Sequence, residues 1–276
     1  MKKKIGLIDL FIDEWHSNHL PEWIASSNRK DEFELAYAWE EAPFPGRRNL
    51  QEWCGDNNMI AAKSIEEVVE NCDVISVLAP ANPEVHARLA DIPLCSGKPV
   101  YVDKPFADTL AAAKGMFDLA ERHSTPLMTS SALRFCEEIQ SGKLQAMKPI
   151  LFNTLGGGRS FPEYAIHQLE MIVAVMGTDI RDIQLVGDAK KLSLALKYGN
   201  SRLATATYAV YFPFAISAAS ETDAAAYSTA TGYWVNFVNA MLDFFATGVS
   251  PIPREQTLCI AEVLEKAVAL LQNARL

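Results

Sequence analysis

The chain has 276 residues, of which 49% are hydrophobic and 21% charged, and its formal net charge is −9. This length suits a sizeable core and two domains, and the composition is ordinary for a globular protein. The acidic balance argues against a nucleic-acid or anionic-membrane partner, because either needs a basic face.

The amino-terminal lysines do not begin a predicted signal peptide, since Asp9, Asp13 and Glu14 follow them where an apolar region would be needed. No apolar run is long enough to span a bilayer. Five cysteines are scattered at positions 54, 72, 95, 136 and 259, never in CxxC spacing. We therefore expect reduced thiols in the cytoplasm, without a disulfide framework or a zinc site.

The first half alternates between apolar runs of strand length and helix-forming segments. The predicted strands are residues 5–10, 33–39, 74–79, 99–102 and 126–130, and the predicted helices are 20–26, 64–70, 83–90 and 109–122. This alternation indicates parallel βαβ units in a Rossmann-like, doubly wound sheet. We assign this domain to residues 1–134.

Strands dominate after residue 134. They are predicted at 150–155, 180–186, 191–198, 203–210 and 215–219, with helices at 163–176, 233–246 and 254–273. Consecutive strands with few helices between them favour a mostly antiparallel open sheet, typical of an α+β domain. We assign this domain to residues 135–276, so the predicted fold class is α/β followed by α+β.

A lysine and an acid follow the apolar strand at 99–102. Asp103 and Lys104 stand where an open α/β sheet binds its ligands, outside the carboxyl ends of the strands. Pro105 disfavours a helical conformation for Lys104. A weak surface ion pair is the alternative for these two residues taken alone.

Several segments in this order resemble the Gfo/Idh/MocA family of dinucleotide-dependent oxidoreductases. Residues 73–86 read DVISVLAPANPEVH, and residues 96–105 read SGKPVYVDKP, which is similar to the family's Gly-Lys-x-Val…Glu-Lys-Pro segment. Further matches are Leu133-Arg134-Phe135, the Glu163-x-x-x-His167-x-x-Glu170 pattern before Gly177, and residues 237–254. Together these segments extend over most of the chain.

The resemblance implies catalytic roles for Lys104 and His167, assisted by Glu163, on a sugar or cyclitol hydroxyl. Loss of hydride from a hydroxyl-bearing carbon needs a base for the hydroxyl proton, and a nearby lysine stabilises the developing alkoxide. The resemblance also implies a substrate contact from Arg134, beside Lys104 and His167. Arg159 follows three glycines in a turn on the expected substrate side and suits a carboxylate or phosphate; a glycine-rich hairpin is the alternative. A core histidine is the structural alternative for His167, and a solvated partner for Glu170.

The implied cofactor is NAD or NADP. The dinucleotide contacts carried over from the family are Phe11, Ile12, Glu40, Ala79, Asn82, His86 and Asp103. The glycine fingerprint is missing, because Asp9, Phe11 and Glu14 occupy the three glycine positions on the simplest alignment. Helix amides alone still offer a phosphate site.

Two further patterns leave alternatives open. Glu40 or Glu41 suits a ribose diol and favours NAD, whereas Arg47 and Arg48 suit the 2′-phosphate of NADP; all four also suit a solvated loop. His16 and His19 have a metal-ligand spacing without a third ligand, so we predict no metal.

These observations predict an NAD(P)-dependent oxidoreductase acting on a hydroxyl or keto group of a sugar, cyclitol or related polyol. The alternatives are a non-catalytic ligand sensor or scaffold, which the missing glycines favour, and an enzyme that works without a dinucleotide. A homo-oligomer formed through the carboxy-terminal sheet is expected from the resemblance.

Overall fold

A computed structural model describes residues 1–273 of the chain. It divides into two compact units. The first unit comprises Met1–Ser130 and Val238–Pro253, and the second comprises Ser131–Phe237 and the residues from Arg254 onwards.

The first unit is built on a six-stranded sheet in which every pair of neighbouring strands is parallel. Its strands are β1 (Lys3–Asp9), β2 (Phe33–Glu40), β3 (Ile60–Ala61), β4 (Val74–Val77), β5 (Val100–Val102) and β6 (Leu127–Met128), in the order β3-β2-β1-β4-β5-β6. The strands β4 and β5 are buried along their whole length, which explains their continuous apolar sequences. The predicted Rossmann-like sheet is confirmed.

Six helices join these strands: α1 (Trp15–Ala25), α2 (Leu50–Asp56), α3 (Ile65–Asn71), α4 (Pro83–Leu89), α5 (Asp91–Leu94) and α6 (Leu110–Arg122). The hydroxyls of Ser64 and Thr109 cap α3 and α6 as N-cap residues. Helix α1 begins well before the predicted residue 20, because Glu14 caps it, and Pro21 lies inside the helix instead of in its first turn. Helix α2 was not predicted.

The second unit is built on a mixed six-stranded sheet. Its strands are β7 (Leu151–Gly156), β8 (Ile180–Asp188), β9 (Lys191–Tyr198), β10 (Leu203–Ala209), β11 (Ala215–Ala219) and β12 (Ala224–Tyr227), in the order β12-β11-β7-β10-β9-β8. The pair β7–β10 is parallel and the other four pairs are antiparallel. The predicted mostly antiparallel sheet is confirmed, although β12 was not predicted.

The remaining helices are α7 (Glu137–Gln140), α8 (Lys143–Met147), α9 (Phe161–Met176), α10 (Tyr233–Thr247) and α11 (Arg254–Asn273). Within the second unit, α9 packs against β7, β10 and α11. Alternate residues of β9 from Leu192 to Tyr198 are buried, as expected for a strand with one face in a core. No helix within residues 1–273 has the length and apolarity needed to cross a membrane.

Candidate active site

Three acids lie at the carboxyl ends of three strands of the sheet in the first unit. Glu40 ends β2, Asp9 ends β1, and Asp103 directly follows β5. Asp9 is 0% exposed, Asp103 2% and Glu40 8%. Buried carboxylates need charged or hydrogen-bonding partners. The partners of these three acids therefore define what this edge of the sheet offers to a ligand.

Asp103 has partners for both of its carboxylate oxygens. Its Oδ2 lies 2.5 Å from Nδ1 of His16, at the start of α1. Its Oδ1 accepts the backbone N–H of Lys104 at 2.8 Å and the hydroxyl of Tyr101 at 2.9 Å. Asp103 thus joins the carboxyl end of β5 to the amino-terminal turn of α1.

The ionisation of Asp103 fixes the direction of its hydrogen bond with His16. Burial opposes ionisation, but the charges of His16 and Lys104 and these hydrogen bonds outweigh it and hold the pKa of Asp103 below its ordinary value. An ionised carboxylate only accepts hydrogen bonds. His16 therefore donates from Nδ1, and its Nε2 carries the lone pair whenever the ring is neutral.

Lys104 lies beside this pair, half-buried at the end of the sheet. Its Nζ donates to the carbonyl oxygen of Pro80 at 3.2 Å. Within residues 1–273 this is the one hydrogen bond that the ammonium donates, so further N–H groups remain for a ligand. The structure thus brings together Asp103 and Lys104, which the sequence selected, and His16, to which it gave no catalytic role.

Asp9 is held differently. Its Oδ1 accepts the backbone N–H groups of Leu10 at 2.7 Å and Ala79 at 3.1 Å, whereas its Oδ2 has no hydrogen-bond partner among residues 1–273. Burial, reinforced by the nearby charge of Glu14, raises the pKa of Asp9 well above its ordinary value. Ala79 has a φ of +67°, an uncommon conformation for a residue with a Cβ.

Three amides at the turn between β1 and α1, those of Ile12, His16 and Ser17, donate to side chains of the chain itself. The Glu14 carboxylate accepts the N–H groups of Ser17 at 2.6 Å and His16 at 2.8 Å. The Glu40 carboxylate accepts those of Ile12 at 2.9 Å and Leu50 at 2.8 Å. Glu40 therefore binds backbone where the resemblance gave it a dinucleotide contact.

The other charged groups considered for a dinucleotide also have internal partners. Arg48 binds both carboxylate oxygens of Asp13, with Nη2 to Oδ1 at 2.9 Å, and this hydrogen-bonded arginine lowers the pKa of Asp13. The Arg47 guanidinium stacks over Phe44 at 4.9 Å and over Phe11 at 5.3 Å from the ring centroids.

Two residues after β4 that were predicted to contact the dinucleotide, His86 and Asn82, instead bind groups of the chain itself. His86 is fully buried, with Nδ1 3.1 Å from the carbonyl oxygen of Phe106 and Nε2 3.0 Å from that of Ala79. Burial lowers the pKa of His86. The Asn82 amide donates to Glu84 at 2.8 Å in the first turn of α4.

These contacts test whether NAD or NADP fits the turn. A pyrophosphate binds the free backbone N–H groups of a glycine turn and of the helix that follows. Here the N–H groups of Ile12, His16 and Ser17 already donate to carboxylates, and those carboxylates repel a second anion. The residues present therefore do not fit the pyrophosphate.

In the second unit, His167 lies on α9 between the rings of Tyr164 and Phe214, at centroid distances of 5.5 and 5.4 Å. Its Nδ1 lies 2.6 Å from Oγ of Ser131. The same hydroxyl accepts the N–H of Leu133 at 3.1 Å and so caps a short 3-10 turn. Ser131 therefore positions His167, a role that the sequence did not predict.

The other site residues predicted in this unit form ion pairs. Glu163 binds Arg159 one turn before it, so these two side chains hold each other at the amino end of α9. Arg134 binds Glu170, and its Nη1 donates to Gln256 at 2.6 Å. Because Arg134 and Glu170 are both buried, their contact supports the packing of α9.

Sequence reasoning missed His16, Glu14 and Ser131. The available signal for Glu14 was its position three residues before Ser17, in reversed capping-box order. The metal alternative for His16 and His19 gains no support, since residues 1–273 contain no group of three or more His, Cys, Asp or Glu arranged to hold a metal ion.

A comparison with protein-family models agrees with the Rossmann-like fold of the first unit. Residues 14–131 match the model of the family GFO_IDH_MocA, described as an oxidoreductase family with an NAD-binding Rossmann fold. Comparison with curated proteins gives no match. The resemblance to the Gfo/Idh/MocA family is thereby confirmed.

Solved structures resemble the chain over nearly its whole length. A scyllo-inositol dehydrogenase from Lactobacillus casei has a TM-score of 0.78 at 12% identity, covering 99% of this chain and 96% of that one. A UDP-N-acetylglucosamine 3-dehydrogenase from Acidithiobacillus ferrooxidans has a TM-score of 0.76 at 14% identity, covering 99% of this chain and 98% of that one. A biliverdin reductase from Synechocystis sp. PCC 6803, solved with biliverdin and NADP+, has a TM-score of 0.70 at 15% identity. The match covers 98% of each chain. Identities this low show the fold alone.

Proposed function

We propose that this chain, part of which matches the Gfo/Idh/MocA family model, is an enzyme that acts on a hydroxyl or keto group of a sugar, cyclitol or related polyol. The observation that carries the proposal is the placement of Lys104 beside the buried Asp103 at the carboxyl end of β5. Two of the similar structures are named as dehydrogenases of an inositol and of a nucleotide sugar, which supports the substrate class.

We assign Lys104 the role of stabilising negative charge on the substrate oxygen. An ammonium group near a developing alkoxide or enolate lowers the barrier for losing a proton from the substrate. In the second unit we assign His167 to proton transfer and Glu163 to assistance, with Arg159 as a substrate contact. The pairing of Arg134 with Glu170 gives Arg134 a structural role instead.

The family implies an oxidoreductase that uses NAD or NADP, which would accept or donate the hydride. The occupied amides of Ile12, His16 and Ser17 argue against that cofactor. The same observation favours a second candidate function, a polyol-binding sensor without turnover. Binding of a dinucleotide is therefore tested separately from binding and conversion of a polyol.

The first test is a titration with NADH and NADPH, followed by calorimetry and by quenching of the five tryptophans. We expect no binding up to millimolar concentrations, and micromolar binding would contradict our account of the turn. The second test is a panel of sugars and cyclitols, followed by NMR with and without either dinucleotide. Conversion that is lost in Lys104→Met supports the enzyme, whereas binding without conversion supports the sensor.

We also propose that the protein is a cytoplasmic homo-oligomer formed through the sheet of the second unit. All five cysteines are free thiols. The face of this sheet opposite α9 carries small polar side chains that bond across strands, with Thr205 donating to Asn153 at 2.8 Å and Asn153 to Ser217 at 3.2 Å. Light scattering should give a dimer or tetramer, and Thr205→Arg should lower that mass.

A further inference from the structure

His16 has no counterpart among the site residues that the resemblance assigned, yet its ring is oriented as that of a catalytic base. Its Nδ1 is fixed by the carboxylate of Asp103 at 2.5 Å. A base that is oriented in this way by a buried acid is the arrangement found in nucleophile and proton-transfer sites. The side chain of His16 retains 13% exposure, whereas that of Asp103 retains 3%.

We infer that His16, oriented by Asp103 and assisted by Lys104, is an acid–base centre that transfers a proton on a polyol bearing a carbonyl group, without a dinucleotide. This inference rests on the proposed function for its substrate class. It adds a reaction class, the isomerisation or epimerisation of an α-hydroxycarbonyl compound.

Three contacts make Asp103 a rigid support for His16. The hydroxyl of Tyr101 and the backbone N–H of Lys104 both donate to Oδ1, which leaves Oδ2 for the imidazole. Because the carboxylate is ionised, the imidazole donates from Nδ1 and carries its lone pair on Nε2. Neutral His16 is then a base at Nε2, and its imidazolium is the matching acid.

Lys104 supplies the second requirement, a positive charge for the oxygen that becomes negative. It follows Asp103 directly and lies at the carboxyl end of the same strand as that acid. Its charge acts on Asp103 together with that of His16. A base and a cation held around one carboxylate are what removal of a proton next to a carbonyl needs.

The proposed step balances without any co-reactant. His16 Nε2 takes the proton from the hydroxyl-bearing carbon next to the carbonyl, and the C–H electron pair forms a carbon–carbon double bond. The carbonyl π pair moves to its oxygen, where the Lys104 ammonium stabilises the enediolate. A proton passes from the hydroxyl oxygen to this oxygen, and the imidazolium returns its proton to the former carbonyl carbon. One carbon is oxidised and its neighbour reduced, with no net change.

The turn beside His16 agrees with chemistry of this kind. In a dinucleotide enzyme the first turn of α1 faces the pyrophosphate. In this chain the same turn is closed by Glu14, which accepts the N–H groups of His16 and Ser17. The helix start therefore presents an imidazole where free amides would otherwise bind phosphate.

The test is hydrogen–deuterium exchange at carbon, measured by NMR in D₂O with no dinucleotide added. The probes are a panel of aldoses, ketoses and a keto-inositol. We expect the wild type to exchange the C–H next to the carbonyl of at least one probe. His16→Gln should lower that rate by about 100-fold or more, in line with the contribution of a general base. His19→Gln, one turn further along α1, is the matched control and should leave the rate unchanged.

Two further variants keep the test decisive if His16→Gln does not fold. Lys104→Met should lower the exchange rate. Asp103→Asn should lower it and also shift the His16 ring nitrogens in ¹⁵N NMR, because the amide no longer requires Nδ1 to donate. An unchanged exchange rate in Lys104→Met or in folded His16→Gln overturns the inference.

The outcomes separate this inference from the proposed function. Conversion of a polyol only when NAD(H) or NADP(H) is added would overturn the inference and leave the proposed function standing. Absence of both binding and conversion across the panel would overturn both. Exchange that depends on His16 and needs no dinucleotide would support both.

Discussion

The carboxylate of Glu14 accepts the backbone N–H of Ser17 at 2.6 Å, and the hydroxyl of Ser17 lies 3.3 Å from the backbone N of Glu14. These reciprocal bonds form a capping box at the start of α1. They satisfy helix amides with a group of the chain itself. The missing glycines and the closed turn thus belong to one local arrangement.

The first prediction concerns this cap. Glu14→Ala leaves the N–H groups of His16 and Ser17 without their acceptor, so we expect it to lower the free energy of unfolding by about 1–2 kcal/mol. Glu14→Asn is the matched control, because asparagine supplies an N-cap oxygen without a buried charge. Urea unfolding followed by tryptophan fluorescence measures both. Equal losses in the two variants would contradict the capping role.

The second prediction concerns pH. Burial and then the charge of Glu14 raise the pKa of Asp9 above its unfolded value of about 3.8. The folded chain therefore keeps this proton to higher pH, and stability is lost as the pH rises through the raised pKa. Asp9→Asn removes this titration. Its free energy of unfolding relative to wild type should increase from pH 4 upwards, by at most about 1.4 kcal/mol per pH unit.

Chemical denaturation at several pH values between 4 and 8 checks this prediction. Asp188→Asn is the control, because Asp188 is exposed and its pKa is lowered by Lys191. Its difference from wild type should stay constant across this range. A constant difference for Asp9→Asn as well would show that Asp9 ionises normally in the folded chain.

Local patterns predicted much of the fold. The continuous apolar sequences of β4 and β5 and the helical spacing of α11 identified those elements, and α11 has the predicted bounds of 254–273. The start of α1 was missed because glutamate is not among the preferred N-cap residues. Strand β3 has only two residues, too few for any periodic pattern.

The candidate site was predicted only in part. Asp103 and Lys104 lie at the end of β5 as expected, because the carboxyl end of a parallel strand is visible in the sequence. The partner of Asp103 was not visible, since His16 is 87 positions away and meets it only through the parallel sheet and α1. Ser131 and His167 are 36 positions apart. Such pairs require the tertiary structure.

The third prediction concerns the buried ion pair of the second unit. The side chains of Arg134 and Glu170 are 8% and 4% exposed. Arg134→Met leaves the Glu170 charge buried without its partner, so we expect a loss of about 3–5 kcal/mol. The double variant Arg134→Met with Glu170→Leu should recover much of this loss, because no buried charge remains.

Denaturant midpoints of the single and double variants measure this coupling. Glu262 provides the control, because it pairs with Lys266 on α11 while both side chains are exposed. Glu262→Gln should cost less than about 1 kcal/mol. Additive losses in Arg134→Met and Glu170→Leu would mean that the two charges do not stabilise each other.

The last prediction concerns the glycine turn after β7. Gly158 has a φ of +148°, and a Cβ built there would lie 2.2 Å from ring atoms of Tyr164. Its carbonyl oxygen also accepts the hydroxyl of Tyr208 at 2.8 Å. Gly158→Ala strains this conformation and displaces the Tyr164 ring, so we expect a loss of about 1–3 kcal/mol.

Gly115 is the matched control for this substitution. It is exposed within α6, and a Cβ there meets no heavy atom within 4 Å. Gly115→Ala should therefore stabilise the chain by up to about 1 kcal/mol, because alanine loses less backbone entropy in a helix. Thermal unfolding of both variants gives the comparison. Opposite shifts are expected, and stabilisation by Gly158→Ala would show that the turn tolerates a side chain, so that the close contact with Tyr164 does not constrain it.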